Sequence, residues 1–230
     1  NGKRMNDWLT NMGDWNISRK RYYGMPRPFY PCDCGHITVI GSKDELREKA
    51  VDPAQVDALP ELHRPWVDEV KIKCPHCGKE VSRISDIGDV WLDAGIVPFS
   101  TLDYFTDRES WEKNFPAEWV TEMHEQVRLW FYSMLFMSTV LVGKAPYERV
   151  VTNGMVVAED GSKFSKTGFM IKFDEAAEKI GADTVRYLYA SAPTNNDVRF
   201  GYNLGDEARR KMLGFWNIYT FFDTYAQLDK

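Results

Sequence analysis

Cysteine and histidine are both scarce in this sequence, with four of each in 230 residues. Four thiols suffice for two disulfides or one metal site and for nothing larger. A charged leader followed by an apolar stretch and a small-residue cleavage site, the pattern of a secretory signal, is not seen. Nor is any run long enough to cross a bilayer, which takes about 20 apolar residues. The most lipid-like segment, VRLWFYSMLFMSTVLV at 127–142, carries Arg128 and reads as a buried core helix, so no membrane association is expected. There is no basic excess either. The formal net charge is −5, so any contact with nucleic acid must come from local patches. No internal repeat and no low-complexity tract appears. What the chain does have is aromatic side chains: 8 Trp, 11 Tyr and 13 Phe, within 43% hydrophobic residues. That composition excludes a disordered chain and supports one large domain or two small ones. The chain opens Asn1-Gly2 without Met and stops within an apparent amphipathic helix, so a piece of a longer protein is expected. The lack of secretory features points to a reducing, cytoplasmic compartment.

The cysteines come in two pairs. Cys32-Asp33-Cys34-Gly35 is followed, with 39 residues between Cys34 and Cys74, by Cys74-Pro75-His76-Cys77-Gly78. A glycine after each pair lets the backbone turn so that amide groups face the sulfurs. Two such knuckles supply Cys32, Cys34, Cys74 and Cys77 as the four soft ligands of a structural, tetrahedral Zn2+. Two disulfides, or free thiols, are the alternative, and His36 or His76 lies near enough in sequence to replace a cysteine. Residues 31–83 have few apolar residues for their length, so the metal is expected to staple this segment.

Local signals give the organisation. Met5–Met12 reads as a short helix and Ile37–Ile40 as a strand. Ser42 and Glu45 form a capping box opening a helix to about Ala50. Asp52-Pro53 starts another helix, and strands at Val70–Lys73 and Glu80–Ile84 flank the second knuckle. GDVWLDAG at 88–95 leads into a helix or turn, and Asp107–Asn114 reads as a short exposed helix. Trp119–Thr121 is a brief strand, and a long helix, apolar on most sides, is expected from about Glu125 to Leu141, packed between a sheet and another layer. Strands at Arg149–Thr152 and Met155–Val157 precede helices at Phe173–Ile180 and Ala182–Ala190, split by Gly181. Asp206–Leu228 is amphipathic, with Met212, Phe215, Trp216, Tyr219 and Phe222 on one face. The pattern is α/β, a small metal-bound insertion, α/β again, and then helix.

Two segments suggest chemistry. GSKFSKTGFM at 161–170 sets Lys163 and Lys166 around Ser165 between two glycines. Lysines on flexible stems suit phosphate groups, and glycines would let the loop open and close; the alternative is a solvated surface turn. Arg19, Lys20 and Arg21, beside Tyr22 and Tyr23, offer charge and stacking for an RNA end; the alternative is a helix face with its charges in water. Arg209, Arg210 and Lys211 read as a solvated face, with RNA contact the alternative.

These segments carry a resemblance. KFSKT at 163–167 resembles the KMSKS signature of class I aminoacyl-tRNA synthetases. DWNISRKRYYG at 14–24 is similar to the family's DWxISRQRYWG, DVWLDAG at 89–95 to DVWFDSG, and EMHEQVRLWF at 122–131 to EGxDQxRGWF. GADTVRYLYASAP at 181–193 resembles the segment that follows the KMSKS loop, and the cysteine pairs match a zinc knuckle of some members. The blocks keep the family's order across nearly the whole chain. The isoleucyl branch is nearest; valyl and leucyl enzymes share the scaffold.

The resemblance implies the second half of a Rossmann-type nucleotide-binding core at 1–30 and 84–157, with a zinc-binding insertion at 31–83. A KMSKS-like loop, a helical stem-contact region and the start of an anticodon-binding domain follow at 158–230. It implies ATP with Mg2+, isoleucine and tRNA as substrates, and the rest of a parent synthetase as covalent partner. Lys163, Ser165 and Lys166 match positions that contact ATP phosphates, with Lys166 facing the leaving pyrophosphate. Glu122, Glu125 and Gln126 match adenylate-contacting positions, and Trp91 and Trp130 match the walls of the isoleucine pocket, the alternative for both being core packing. The family's HIGH motif and editing insertion are not in this chain, so it is expected to be inactive alone. Met123 and Leu129 stand where the family has Gly, and Glu125 where it has Asp. These departures leave open a paralogue that binds tRNA without catalysis.

Overall fold

The structure is a computed structural model that describes residues 2–226. The chain mixes helix and strand and forms two compact units, one of residues 2–118 with 126–148 and one of 119–125 with 149–226.

The larger unit begins with α1 (Gly2–Asn11) and β1 (Ser18–Arg19), then enters the cysteine-bearing segment. There β2 (Phe29–Pro31) pairs antiparallel with β3 (Ile37–Val39), so the first knuckle is a hairpin turn. β4 (Lys71–Lys73) and β5 (Glu80–Ser82) make the second hairpin around Cys74–Gly78. Between them lie α2 (Lys43–Lys49), α3 (Pro53–Asp57) and a 3-10 turn at Trp66–Glu69. The Ser42 hydroxyl accepts from the Glu45 amide at 3.1 Å. The Glu45 carboxylate reaches the Gly41 amide at 2.7 Å, one residue earlier than the reciprocal bond of a standard capping box. Asp52 caps α3 through the Ala54 amide.

The expectation that this segment is poor in core residues is corrected. Tyr30, Ile40, Leu46, Val56, Val67, Val70, Ile72 and Val81 join Cys32 and Cys74 in one buried cluster. They arrive one or two per element, so no amphipathic run announces them.

After this segment β6 (Ile87–Gly88) returns to pair antiparallel with β1. The helices α4 (Val90–Gly95), α5 (Val97–Ser100), α6 (Arg108–Asn114) and α7 (Trp130–Val142) complete the unit. α6 is exposed over most of its length, as expected, and is anchored by one residue. Its Trp111 is buried, donates from Nε1 to the Pro98 carbonyl at 2.9 Å and stacks on Phe115 with ring centroids 4.3 Å apart. α7 starts five residues later than the apolar pattern suggests, because residues 124–128 form a 3-10 turn. Gln126 Oε1 then accepts the Trp130 amide at 3.0 Å and caps the helix. Within its unit α7 packs on α4 and α5, and it leaves Val140 and Leu141 exposed. No helix among the described residues is long and apolar enough to cross a membrane.

In the smaller unit β7 (Val120–Met123) lies parallel to β8 (Val150–Asn153), with Val120 opposite Val150. β9 (Val156–Ala158) lies parallel to β10 (Val198–Phe200), and the crossover between them holds α8 (Phe173–Ile180) and α9 (Ala182–Ser191). Parallel neighbours require such a connection. Ala176, Ile180, Val185 and Phe200 form the buried cluster under the crossover, with Phe164, Ile171, Leu188 and Tyr202 packed against it. α10 (Tyr202–Tyr225) follows. It is buried only at Gly205 and Ala208; of the expected apolar face, Phe215, Trp216, Tyr219 and Phe222 are exposed and Met212 is half-buried. Positions 227 and 228 of the expected helix lie outside the described residues.

Candidate functional sites

The four cysteine Sγ atoms all lie within 4.8 Å of one another and form a group that could hold a metal ion. Cys32 and Cys77 sulfurs are 3.5 Å apart, and those of Cys34 and Cys74 3.8 Å. A disulfide would need about 2.05 Å. Four sulfurs at about 2.3 Å from a tetrahedral ion would sit about 3.8 Å apart, so the spacing is that of ligands around one centre. Gly35 (φ +87°) and Gly78 (φ +73°) close the knuckles by donating to the Cys32 and Cys74 carbonyls, each at 2.9 Å. Burial opposes ionisation of Cys74, but the amides of Cys77 and His76 and the neighbouring thiols outweigh it and bring its pKa down to about 7. For Cys32 the Cys34 amide favours the thiolate, yet burial and the other three thiols push its pKa up to about 12.

The lysine loop is built from a hairpin. Ala158 donates to the Ser162 carbonyl at 2.8 Å, and Gly161 donates to Ala158 at 2.8 Å. Gly161 has φ +89°, the left-handed residue that completes a three-residue hairpin. Lys163 then bridges antiparallel to Val157 of β9. Phe164 turns inward onto the buried cluster under the crossover, its ring 5.9 Å from Phe169. Ser165 accepts the Gly168 amide at 3.2 Å on its carbonyl and the Thr167 amide at 3.3 Å on its hydroxyl. Lys163 and Lys166 are exposed on either side of the Phe164 anchor. Both glycines lie in turns, Gly161 closing the hairpin and Gly168 donating to the Ser165 carbonyl.

In the same unit, Glu122 is exposed on β7, where its carboxylate accepts the Met123 amide at 2.6 Å. Glu125 Oε1 lies 3.5 Å from His124 Nε2. The remaining expected site residues are in the larger unit. The Trp130 indole donates to the Ala94 carbonyl at 2.9 Å, tying α7 to the helix that carries Trp91. Trp91 itself lines a cleft of about 230 Å³ with Trp8, Trp15, Arg19, Arg128 and Tyr132. Asp89 organises that cleft, a role the sequence reading missed although an Asp just before a helix is a readable cap signal. Asp89 is buried, accepts from Trp15 Nε1 at 3.0 Å and the Trp91 amide at 3.2 Å, and pairs with Arg19. Arg19 also donates to the Asn16 and Ser18 carbonyls. Its guanidinium thus belongs to the scaffold, which separates it from its neighbours. Lys20, Arg21, Tyr22 and Tyr23 are exposed, and the Arg64 guanidinium lies 5.3 Å over the Tyr22 ring.

Comparison with known proteins identifies the family. The sequence model of the tRNA synthetases class I (I, L, M and V) matches residues 1–201. The chain belongs to this family of aminoacyl-tRNA synthetases. The isoleucine–tRNA ligase of Clostridium novyi (strain NT) is 41% identical over 99% of this chain. Those of Thermus thermophilus and Methanopyrus kandleri are 40% and 38% identical over the same share. The chain spans 22% of the length of each of these relatives. A crystal structure of the ternary complex of Agrobacterium radiobacter K84 agnB2 LeuRS, tRNA and LeuAMS aligns with a TM-score of 0.67 over 91% of this chain and 28% of that one. At 22% identity it is a match of fold.

Proposed function

We propose that the chain is part of an isoleucine–tRNA ligase: ATP-dependent activation of isoleucine, then transfer of the aminoacyl group to the 3′ end of tRNA. The observation that carries this reading is the lysine loop. A hairpin holds its base, Phe164 anchors its middle, and Lys163 and Lys166 are left exposed. The isoleucine specificity draws its support from relatives at 38–41% identity that bear that name. In the first step the isoleucine carboxylate attacks the α-phosphorus of ATP, supplied as its Mg2+ complex, and the bond to pyrophosphate breaks. Lys166 neutralises charge growing on the leaving pyrophosphate, and Lys163 and Ser165 hold the phosphates. Glu122, Glu125 and Gln126 contact the adenylate. Trp91 and Trp130 flank the amino-acid side chain.

Residues 31–83 are assigned as a zinc-binding insertion, with Cys32, Cys34, Cys74 and Cys77 as ligands. When bound, the ion would cross-link the two hairpins; with all four positions filled by thiolates it has no place for substrate. The parallel pairing of β7 with β8 supports assigning 84–157 to the second half of a Rossmann-type core, and the pairing of β1 with β6 supports joining 1–30 to it. Residues 158–230 are then the loop, stem-contact region and start of the anticodon-binding helices. Lys20 and Arg21, with Tyr22 and Tyr23, meet the RNA end.

The test is amino-acid-dependent ATP–pyrophosphate exchange by the full-length parent with isoleucine, valine, leucine and methionine. Exchange with isoleucine well above the others supports the assignment. Exchange favouring valine or leucine would move it within the family. No exchange from protein that still binds tRNA would replace it with a non-catalytic paralogue, the reading that Met123, Glu125 and Leu129 favour.

A further inference from the structure

We propose that Glu159 is a positioning residue for the lysine loop: its carboxylate caps α10 and so fixes the hairpin that carries Lys163 and Lys166. The proposal deepens the assignment of that loop to ATP and rests on it.

α10 has no cap of its own. Its N-cap residue is Gly201, which has no side chain, and its first turn holds no acidic residue. The amide of Leu204, at the third helical position, would lack a partner. Glu159 Oε1 accepts that amide at 2.9 Å, and Oε2 accepts Asn203 Nδ2 at 2.9 Å. This is the bond a Ser or Asp at the N-cap makes, here delivered from 45 positions upstream. The carboxylate also meets the positive end of the helix dipole. These donors, the Leu204 amide first, hold the Glu159 carboxyl below the usual carboxylate range.

Gly201 is the other half of the arrangement. A Cβ there would lie 2.3 Å from Glu159 Cγ. The Gly201 φ is 179°, open to any residue, so the close approach of Glu159 is what requires glycine. Arg199 adds a hydrogen bond to the Glu159 carbonyl at 3.2 Å.

On its other side Glu159 is part of the hairpin. It follows Ala158 in the turn that Gly161 closes, and the chain leaves that turn at Lys163, bridged to Val157. The path from the capped helix to the first lysine is therefore four residues of hydrogen-bonded backbone. A cavity of about 410 Å³ lined by Glu159, Ser162, Phe169 and Asn203 flanks the contact, giving the loop room to shift if the latch opens.

The experiment compares Glu159→Ala, Glu159→Gln and Gly201→Ala in the full-length parent, by ATP–pyrophosphate exchange kinetics and by hydrogen exchange of the amides of 161–168. The Ala variant should lower kcat on the order of tenfold with the KM for isoleucine unchanged, and should speed amide exchange in the loop. The Gln variant keeps an acceptor for Leu204 and should restore both. Gly201→Ala expels an intact carboxylate and should reproduce Glu159→Ala; in the Glu159→Ala background it should add little, because the collision is gone. Loop amides as protected in Glu159→Ala as in the parent would overturn the latch, whatever the kinetics. Lost protection with unchanged kcat would overturn the positioning role. A parent without exchange activity would overturn the ATP assignment and with it the catalytic role, while the amide readout would still decide whether Glu159 holds the loop.

Discussion

Arg83 places a guanidinium inside the cysteine-bearing segment, with its side chain 1% exposed. It pairs with Asp68 and donates to the carbonyls of Arg27 at 3.0 Å and Asp86 at 2.9 Å. Arg83→Met would leave the Arg27 carbonyl without this donor and Asp68 with Arg64 alone, and should cost about 1–3 kcal/mol by denaturant unfolding. Burial alone would raise the Asp68 pKa, but hydrogen bonds from Arg83 and Arg64 hold it below its ordinary 3.8. A carboxyl depressed in the folded state stabilises at pH above its unfolded value, and that contribution is lost as pH falls through the folded value. Stability should therefore decline below about pH 4, and Asp68→Asn should flatten that part of the acid limb. Of the exposed charges, Lys166 is the one we propose for the leaving pyrophosphate. Lys166→Ala in the parent should lower the rate of adenylate formation by about 10²–10³-fold, with isoleucine affinity nearly unchanged in equilibrium binding. Equal rates for variant and parent would remove Lys166 from the site.

At the scale of elements, the lysine loop depends on Phe164, where the resembled signature has Met. Phe164→Ala should empty the space over Ala176 and Ile180 and loosen residues 162–170 in hydrogen exchange. Phe164→Met should behave like the parent, since both fill the site with apolar volume. The elements most legible in the sequence are those whose determinants are local. Ser42 and Glu45 announce α2 and Asp52-Pro53 announces α3, because cap and first turn adjoin. Gly181 divides α8 from α9 where expected, since its φ of +88° ends one helix as the next begins. β1, β6 and β10 escaped notice for the opposite reason. Each is two or three residues long and exists through a partner far along the chain; Ser18 opposite Gly88 leaves no pattern near either. The start of α7 was misplaced because apolar periodicity does not distinguish a 3-10 turn from an α-helix over five residues. Among the site residues the cysteine cluster was fully readable, as two short spacings, whereas Glu159 was not, since its partners come more than 40 positions later.

For the whole molecule, the two hairpins of the cysteine segment meet at a sulfur cluster, two of whose members, Cys32 and Cys74, are part of the segment's apolar core. Metal analysis of the purified protein should give about one zinc per chain. Chelation should expose the amides of 32–36 and 74–78 while Leu46, Val56 and Ile72 stay protected. Simultaneous loss of protection throughout 31–83 would mean the apolar core does not stand without the ion. The smaller unit depends instead on the parallel pairing of β9 with β10. Asp197 accepts the Met155 amide at 2.8 Å across 42 positions. Joining strands so far apart loses closure entropy before the strand contacts repay it, a cost that α8 and α9 lower by shortening the path. The residues that steady the lysine hairpin, Arg199, Gly201 and Leu204, stand on or just after β10. The loop proposed to handle phosphate thus draws its order from residues that the chain reaches only after the whole crossover.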